Sequence, residues 1–218
     1  MEKIKNLADR GLANTDEFIE DAAKLEKADI GTGQLRDALV NPNLFVKEAP
    51  GIYHEAKLAS DARKLMENNP AIKQNLHDHL HHLGYKAGDP GHAKGLLFEI
   101  RGATFKAEIG EQVKNIFAPN KGLDGSGIDF VTNAEAVQAK SSVKAIGGKG
   151  VKDRLVAGIK AAKSIGLENK YFIAIPAREF ENLVNPKVSE HFNALENLKD
   201  LGLWTSETVN KVVKVSGF

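Results

Sequence analysis

The stretch Gly125-Ser126-Gly127-Ile128-Asp129-Phe130-Val131-Thr132-Asn133-Ala134-Glu135-Ala136-Val137-Gln138-Ala139-Lys140 decides how the chain is read. Ile128 to Thr132 and Ala134 to Val143 are strand-like segments. Thr132-Asn133 between them is a tight-turn signal, so the pattern predicts a hairpin. Side chains alternate along a strand, which points Gln138 and Lys140 to one face and Ala139 to the other. Asp129, on the neighbouring strand, falls within reach of both. A carboxylate, an amide and an ammonium group thus converge at one end of a hairpin.

Upstream, Leu96, Ile100, Ala103 and Ala107 form an apolar stripe on a helix expected over 93–117. At about 100° per residue, Glu99 falls roughly 60° off that stripe, at the edge of the buried face. Downstream, Gly147-Gly148 breaks the pattern before a basic helix over 151–165. Tyr171-Phe172-Ile173-Ala174-Ile175 is a continuous apolar run closed by Pro176, the signature of a buried strand. A helix over 189–198 and a strand over 211–215 follow. The order predicts an α/β domain, a mixed sheet flanked by helices.

The first 85 residues read as short helices. Asn14-Thr15-Asp16-Glu17 is a helix start, a short helix over 34–40 stops at Asn41-Pro42, and a third spans about 53–67. Asn69-Pro70 opens a fourth that reaches about Leu83. Three glycines and a proline then fall within Gly84 to Gly91. That junction divides a small helical N-terminal region, 1–88, from the α/β domain, 89–218.

Composition narrows the chemistry. The 218 residues are 42% hydrophobic and 27% charged, the profile of a soluble globular protein, with no apolar stretch long enough to span a membrane. Met1 to Asn6 is charged with no apolar run behind it, so no secretory signal is expected. With no cysteine, disulfides, thiolate catalysis and Cys-ligated zinc are excluded. The net charge of +1 hides an uneven distribution. Residues 1–85 carry 11 Lys and Arg against 14 Asp and Glu, whereas residues 86–175 carry 14 against 9. Lys140 to Lys170 is the densest basic stretch. Lys152, Arg154, Lys160 and Lys163 on the basic helix, with Lys144 and Lys149 before it, form a candidate track for a phosphate backbone. An ordinary solvated helix face is the competing account, and few aromatics interleave to offer a stacking platform.

An acid from a helix, an acid from one strand, and a polar residue two before a lysine on the next make a hydrolytic metal site. Hard cations such as Mg²⁺ take oxygen donors, and a nearby ammonium stabilises charge developing on phosphate. Glu99, Gly127-Ile128-Asp129-Phe130-Val131 and Gln138-Ala139-Lys140 resemble the core of the PD-(D/E)xK nucleases, the restriction-endonuclease-like fold, and the element order from residue 93 to 175 is also similar. The resemblance implies Asp129 as the central metal ligand, the Ala139 carbonyl as a further ligand, Glu99 as the helical acid that holds metal, and Lys140 as the catalytic lysine. Gln138 would fill the position usually held by Asp or Glu, which removes a charge. The implied cofactor is Mg²⁺ or another divalent cation such as Mn²⁺, and the implied substrate is DNA or tRNA. A helical region joined to a compact, cysteine-free nuclease also resembles the toxic C-terminal piece of bacterial contact-dependent growth inhibition proteins. That resemblance implies helix-assisted entry, action in the cytoplasm of a target cell, and blockade by a cognate immunity protein.

Other readings stand beside this one. The chain could be a stand-alone restriction or phage-type endonuclease, or a non-catalytic nucleic-acid- or protein-binding module that keeps the fold, to which Gln138 points. His77 and His81, i,i+4 on one helical face with His54 and His92 elsewhere, have zinc-binding spacing, yet no Glu stands in the zincin position between them. Glu108 and Glu111 are expected as solvated helix charges, Glu135 as exposed, and Asp124 as a turn residue.

Overall fold

The computed structural model describes residues 55–85, 90–117, 127–205 and 211–218. The helices expected within 14–40, the loop around Asp124, and His54 lie outside the described residues. Helices α1 (Glu55–Asn68) and α2 (Lys73–Tyr85) are joined by a single 3₁₀ turn, Pro70–Ile72. Asn69 caps that turn through its side chain, which accepts from Ala71 N–H, and Pro70 follows at the first position, as the dipeptide predicts. Next come α3 (Pro90–Glu108), β1 (Val113–Ile116), β2 (Phe130–Thr132), β3 (Ala136–Ala139), α4 (Val151–Ser164) and β4 (Tyr171–Pro176). The short α5 (Phe180–Val184), α6 (Ser189–Asp200) and β5 (Val212–Val215) complete the order. Among the described residues no helix is long and apolar enough to cross a membrane.

The five strands form one mixed sheet in the order β1-β2-β3-β4-β5. The first three are antiparallel neighbours, with Phe130 opposite Val137, while β4 runs parallel to β3 and β5 parallel to β4. Alternation divides the sheet into two faces. Phe130, Val137, Ala139, Ala174 and Val215 pack with α1, α2 and α3, whereas Ala136, Tyr171, Ile173 and Ile175 pack with α4, α5 and α6.

Two expectations are corrected here. The helix from 93 does not run to Phe117; it ends at Glu108. Glu111 N–H donates to Lys106 O (3.0 Å) and Gly110 N–H to Ala107 O (3.1 Å), a Schellman closure in which Gly110 takes φ +92°. The chain then reverses into β1, whose outer edge is covered by side chains. Val113 N–H donates to Asn68 Oδ1 (2.8 Å) and Asn69 Nδ2 donates to Val113 O (2.9 Å), which occupies groups that an edge strand would otherwise present. The second strand of the hairpin stops at Ala139, not Val143, and residues 141–150 form successive turns.

The core also runs across the junction expected near residue 88. Leu58, Ala62, Leu65, Ile72, Leu76 and Leu80 of the first two helices share one apolar cluster with Phe98, Ile100, Phe130 and Val215. The last residue, Phe218, meets Phe98 edge-on at 4.9 Å. Glu108 is at the surface as expected but carries ion pairs, whereas Glu111 and Glu135 are part-buried rather than free helix or surface charges. Lys106, buried on α3, pairs with both Glu111 and Glu135. Arg101, likewise buried, donates to Asp61 (2.8 Å), to Glu108 and to the Ser216 carbonyl (2.9 Å), which ties α1, α3 and the C-terminus together.

Burial by itself raises the Glu108 carboxyl, but the hydrogen bonds and charges of Arg101 and Lys64 outweigh it and bring it from 4.5 down to about 2. A carboxyl lowered by folding contributes stability above its unfolded value, and that contribution is lost as pH falls from about 4.5 to about 2. Thermal melts from pH 7 down through that range should therefore show Glu108→Gln less stable than the parent at pH 7 and shallower in its acid loss. Parallel curves for the two proteins would remove Glu108 as a source of the acid sensitivity.

Candidate active site

Backbone pairing between β2 and β3 ends at Phe130 and Val137. One residue beyond, Asp129 N–H still donates to Val137 O (2.9 Å), and then the Asp129 side chain takes over: Ala139 N–H donates to Asp129 Oδ2 at 2.7 Å. Lys140 N–H points the other way, to Ala174 O (2.9 Å) on β4. Strand alternation therefore sends the Ala139 carbonyl, like its amide, toward the Asp129 side. Lys140 leaves the sheet at that point, half-buried, with no side-chain hydrogen bond or ion pair among the described residues.

Glu99 approaches from the opposite face. Lys106 of α3 lies over the Phe172 ring and pairs with Glu135 at the hairpin turn, while Gly102 sits over Phe130 and Ala174. Climbing α3 from Lys106 to Gly102 thus moves away from the turn. Glu99 lies one turn further, about 4.5 Å along the axis, toward the end where Asp129, Ala139 and Lys140 lie. Its side chain is 16% exposed, as its offset from the apolar stripe predicts, and its Oε2 is 3.4 Å from His79 Nε2.

Gln138 behaves differently. It faces the α4 layer, is buried, and is bonded to Tyr171, so its amide lies in the core and does not project beyond the sheet. The Tyr171 hydroxyl lies 2.9 Å from both Gln138 Oε1 and the Gly127 carbonyl, sharing its proton between two acceptors. Burial first, and the Asp129 charge second, hold this phenol well above its usual value of 10, so it stays protonated. Two glycines make room for it. A Cβ on Gly158 of α4 would stand 2.4 Å from the Tyr171 hydroxyl, and one on Gly127, at φ +75°, would stand 2.3 Å from the Arg154 carbonyl. Backbone-to-backbone contact between Gly127 and α4 thus sets the approach to Asp129.

The candidate donors are the Asp129 and Glu99 carboxylates and the Ala139 carbonyl. All are hard oxygens, and Mg²⁺ suits a site with one or two carboxylates and several waters. Among the described residues, no group of three or more His, Asp or Glu gathers into a metal-holding cluster. The side chains of His77 and His81 lie outside the described residues, and their neighbour His79 is a core residue of α2. Lys144, Lys149, Lys152, Arg154, Lys160 and Lys163 are all exposed; Lys152 pairs with Asp200 and Lys163 with Glu168, both at the surface.

Two residues of this arrangement escape the sequence reading. His79 falls at helical spacing among Ile72, Leu76, Leu80 and Leu83, a pattern that marks it as inward-facing. Tyr171 opens the apolar run of β4, where a hydroxyl needs a partner. No protein-family model, no curated protein and no solved structure matches the chain.

Removing the Tyr171 hydroxyl leaves buried Gly127 and Gln138 acceptors without their donor, at a cost of about 1–3 kcal/mol. Denaturant unfolding of Tyr171→Phe should show that loss. An unchanged midpoint would mean the hydroxyl does not tie the two strands.

Proposed function

We propose that the chain is a divalent-cation-dependent nuclease on a restriction-endonuclease-like fold, hydrolysing phosphodiester bonds of DNA or tRNA. The observation that carries this reading is the end of the β2–β3 hairpin. There a carboxylate is pinned to the next strand's amide, one residue before a half-buried lysine without an ion pair among the described residues. Asp129 and the Ala139 carbonyl, with Glu99 from α3, would hold Mg²⁺ or Mn²⁺. The cation, when bound, supplies Lewis acidity toward a phosphate oxygen. Lys140 places its ammonium where negative charge develops on the non-bridging oxygens as water adds to phosphorus and the bond to the leaving oxygen breaks. The exposed basic residues of α4 and the preceding loop draw in the polyanion from the same side of the sheet. The setting that accompanies this reading is a bacterial toxin acting in the cytoplasm of a target cell and blocked by an immunity protein. Of the helical region to which entry is assigned, 1–88, residues 1–54 and 86–88 lie outside the described residues.

One observation favours a second reading. Gln138, at the position usually acidic, spends its amide on Tyr171, which suits a non-catalytic binding module on the same fold.

A cleavage assay separates the two. The full chain, incubated with plasmid DNA and with total tRNA, should degrade one of them with Mg²⁺ or Mn²⁺ and neither with EDTA. Lys140→Ala should lose about 10²–10³-fold in rate. Asp129→Asn, which keeps an oxygen to accept Ala139 N–H while removing the charge, should stay folded and lose both cleavage and Mg²⁺ affinity. Folded protein that binds nucleic acid and cuts neither substrate is the binding module, and cleavage that survives Lys140→Ala puts the chemistry elsewhere.

A further inference from the structure

His79 sits on α2 with no exposed surface, between Leu76 and Leu80 in the apolar cluster. An imidazole in such a place costs free energy unless its nitrogens are bonded. Nε2 lies 3.2 Å from the Leu96 carbonyl and 3.4 Å from Glu99 Oε2. A carbonyl only accepts, so Nε2 carries the hydrogen. Leu96 and Glu99 are three apart, on the same side of successive turns of α3. The Leu96 carbonyl takes the N–H and fixes the ring against the helix, and the fixed ring stands beside the carboxylate a turn later. A glutamate at the edge of a buried face has three side-chain torsions to settle, and ordering such a side chain costs roughly 1–2 kcal/mol. His79 meets that cost in advance, from a helix outside the sheet.

We propose that His79 is a positioning residue for the candidate active site, its ring, anchored on the Leu96 carbonyl, keeping the Glu99 carboxylate turned toward the end of the sheet where Asp129, the Ala139 carbonyl and Lys140 lie. The proposal rests on the nuclease reading, since it gives Glu99 a cation to hold. It also makes α2 part of the functional unit, because a domain cut at residue 88 would lose the ring that aligns the acid.

The test measures Mg²⁺ affinity by calorimetry alongside the Mg²⁺ dependence of cleavage, on the full chain. In His79→Leu, both the dissociation constant and the Mg²⁺ needed for half-maximal rate should rise by about 10–100-fold, the range typical of a lost outer-shell partner. His79→Gln, which still offers a donor, should recover most of that loss. In a Glu99→Gln background, His79→Leu should add nothing further, because the two act as one unit. Wild-type Mg²⁺ affinity in His79→Leu overturns the proposal and leaves the nuclease reading intact. A wild-type chain that binds no Mg²⁺ and cuts neither substrate overturns the nuclease reading, and the proposal with it. Should His79→Leu fail to fold, ring ¹⁵N resonances carry the test. The His79 Nε2–H signal should shift on adding Mg²⁺ to wild type and stay still in Glu99→Gln, and a signal indifferent to Mg²⁺ in wild type sinks the positioning role.

Discussion

The hydrogen bond from Ala139 N–H to Asp129 Oδ2 is the constraint on which the arrangement turns. A hairpin that kept its backbone ladder to the end would pair Ala139 with its neighbour's main chain and leave nothing free. Here a side chain replaces a main-chain carbonyl as the acceptor. The substitution satisfies a buried N–H that would otherwise cost about 1–3 kcal/mol. It also lets the strands part, so that Ala139's carbonyl faces the gap and Lys140 leaves the sheet beside it. Structure and chemistry thus ask for the same residue. Asparagine meets the structural demand alone, which is why the two demands can be told apart.

The parting of the strands is held open from the α4 side. Gly127 touches the Arg154 carbonyl and Gly158 receives the Tyr171 ring, so helix and sheet approach more closely than side chains would allow. Tyr171 fills the space, and its hydroxyl bridges Gly127 and Gln138. A carboxylate at 138 would share this buried pocket with Asp129's charge. The neutral amide avoids that repulsion and leaves the negative charge at the sheet's end to Asp129 and Glu99. The exposed basic residues lie on the outer side of the same helix. Their ion pairs with Asp200 and Glu168 are at the surface, where such pairs are worth about 0–1 kcal/mol.

Much of this is legible in the residues. The hairpin, and with it the place of Asp129 beside Ala139, follows from period-2 alternation around a turn signal, a short-range pattern that tertiary packing did not override. β1 was hidden because Val113, Ile116 and Phe117 stand at i, i+3 and i+4, which continues a helical stripe as well as it makes a strand. What decides between them is the closure at Gly110 and the cover that Asn68 and Asn69 give to Val113, and the latter is a contact between segments more than 40 residues apart. The ion pairs of the acidic residues at 108, 111 and 135 were hidden for the same reason. Their partners, Arg101 and Lys106, are helix cations that become buried only when α1 and the hairpin turn close over them. His79 is masked in the sequence by the i,i+4 pair flanking it, which has the spacing of a surface site, whereas the apolar stripe runs through position 79.

The division of the chain at residue 88 fails as a break in packing for a reason that bears on the site. The glycines and proline of that junction mark a change of direction between helices. They carry no information about which apolar faces later meet. Leu58, Leu65, Leu76 and Leu80 complete the core that α3 would otherwise expose on its outer side. The position of Glu99 is then set by helix on helix, and that of Asp129 by strand on strand. Two acids held by independent kinds of packing are located more stiffly than two on a single loop. A loop fluctuates as a unit, whereas these layers move apart only if the core between them opens.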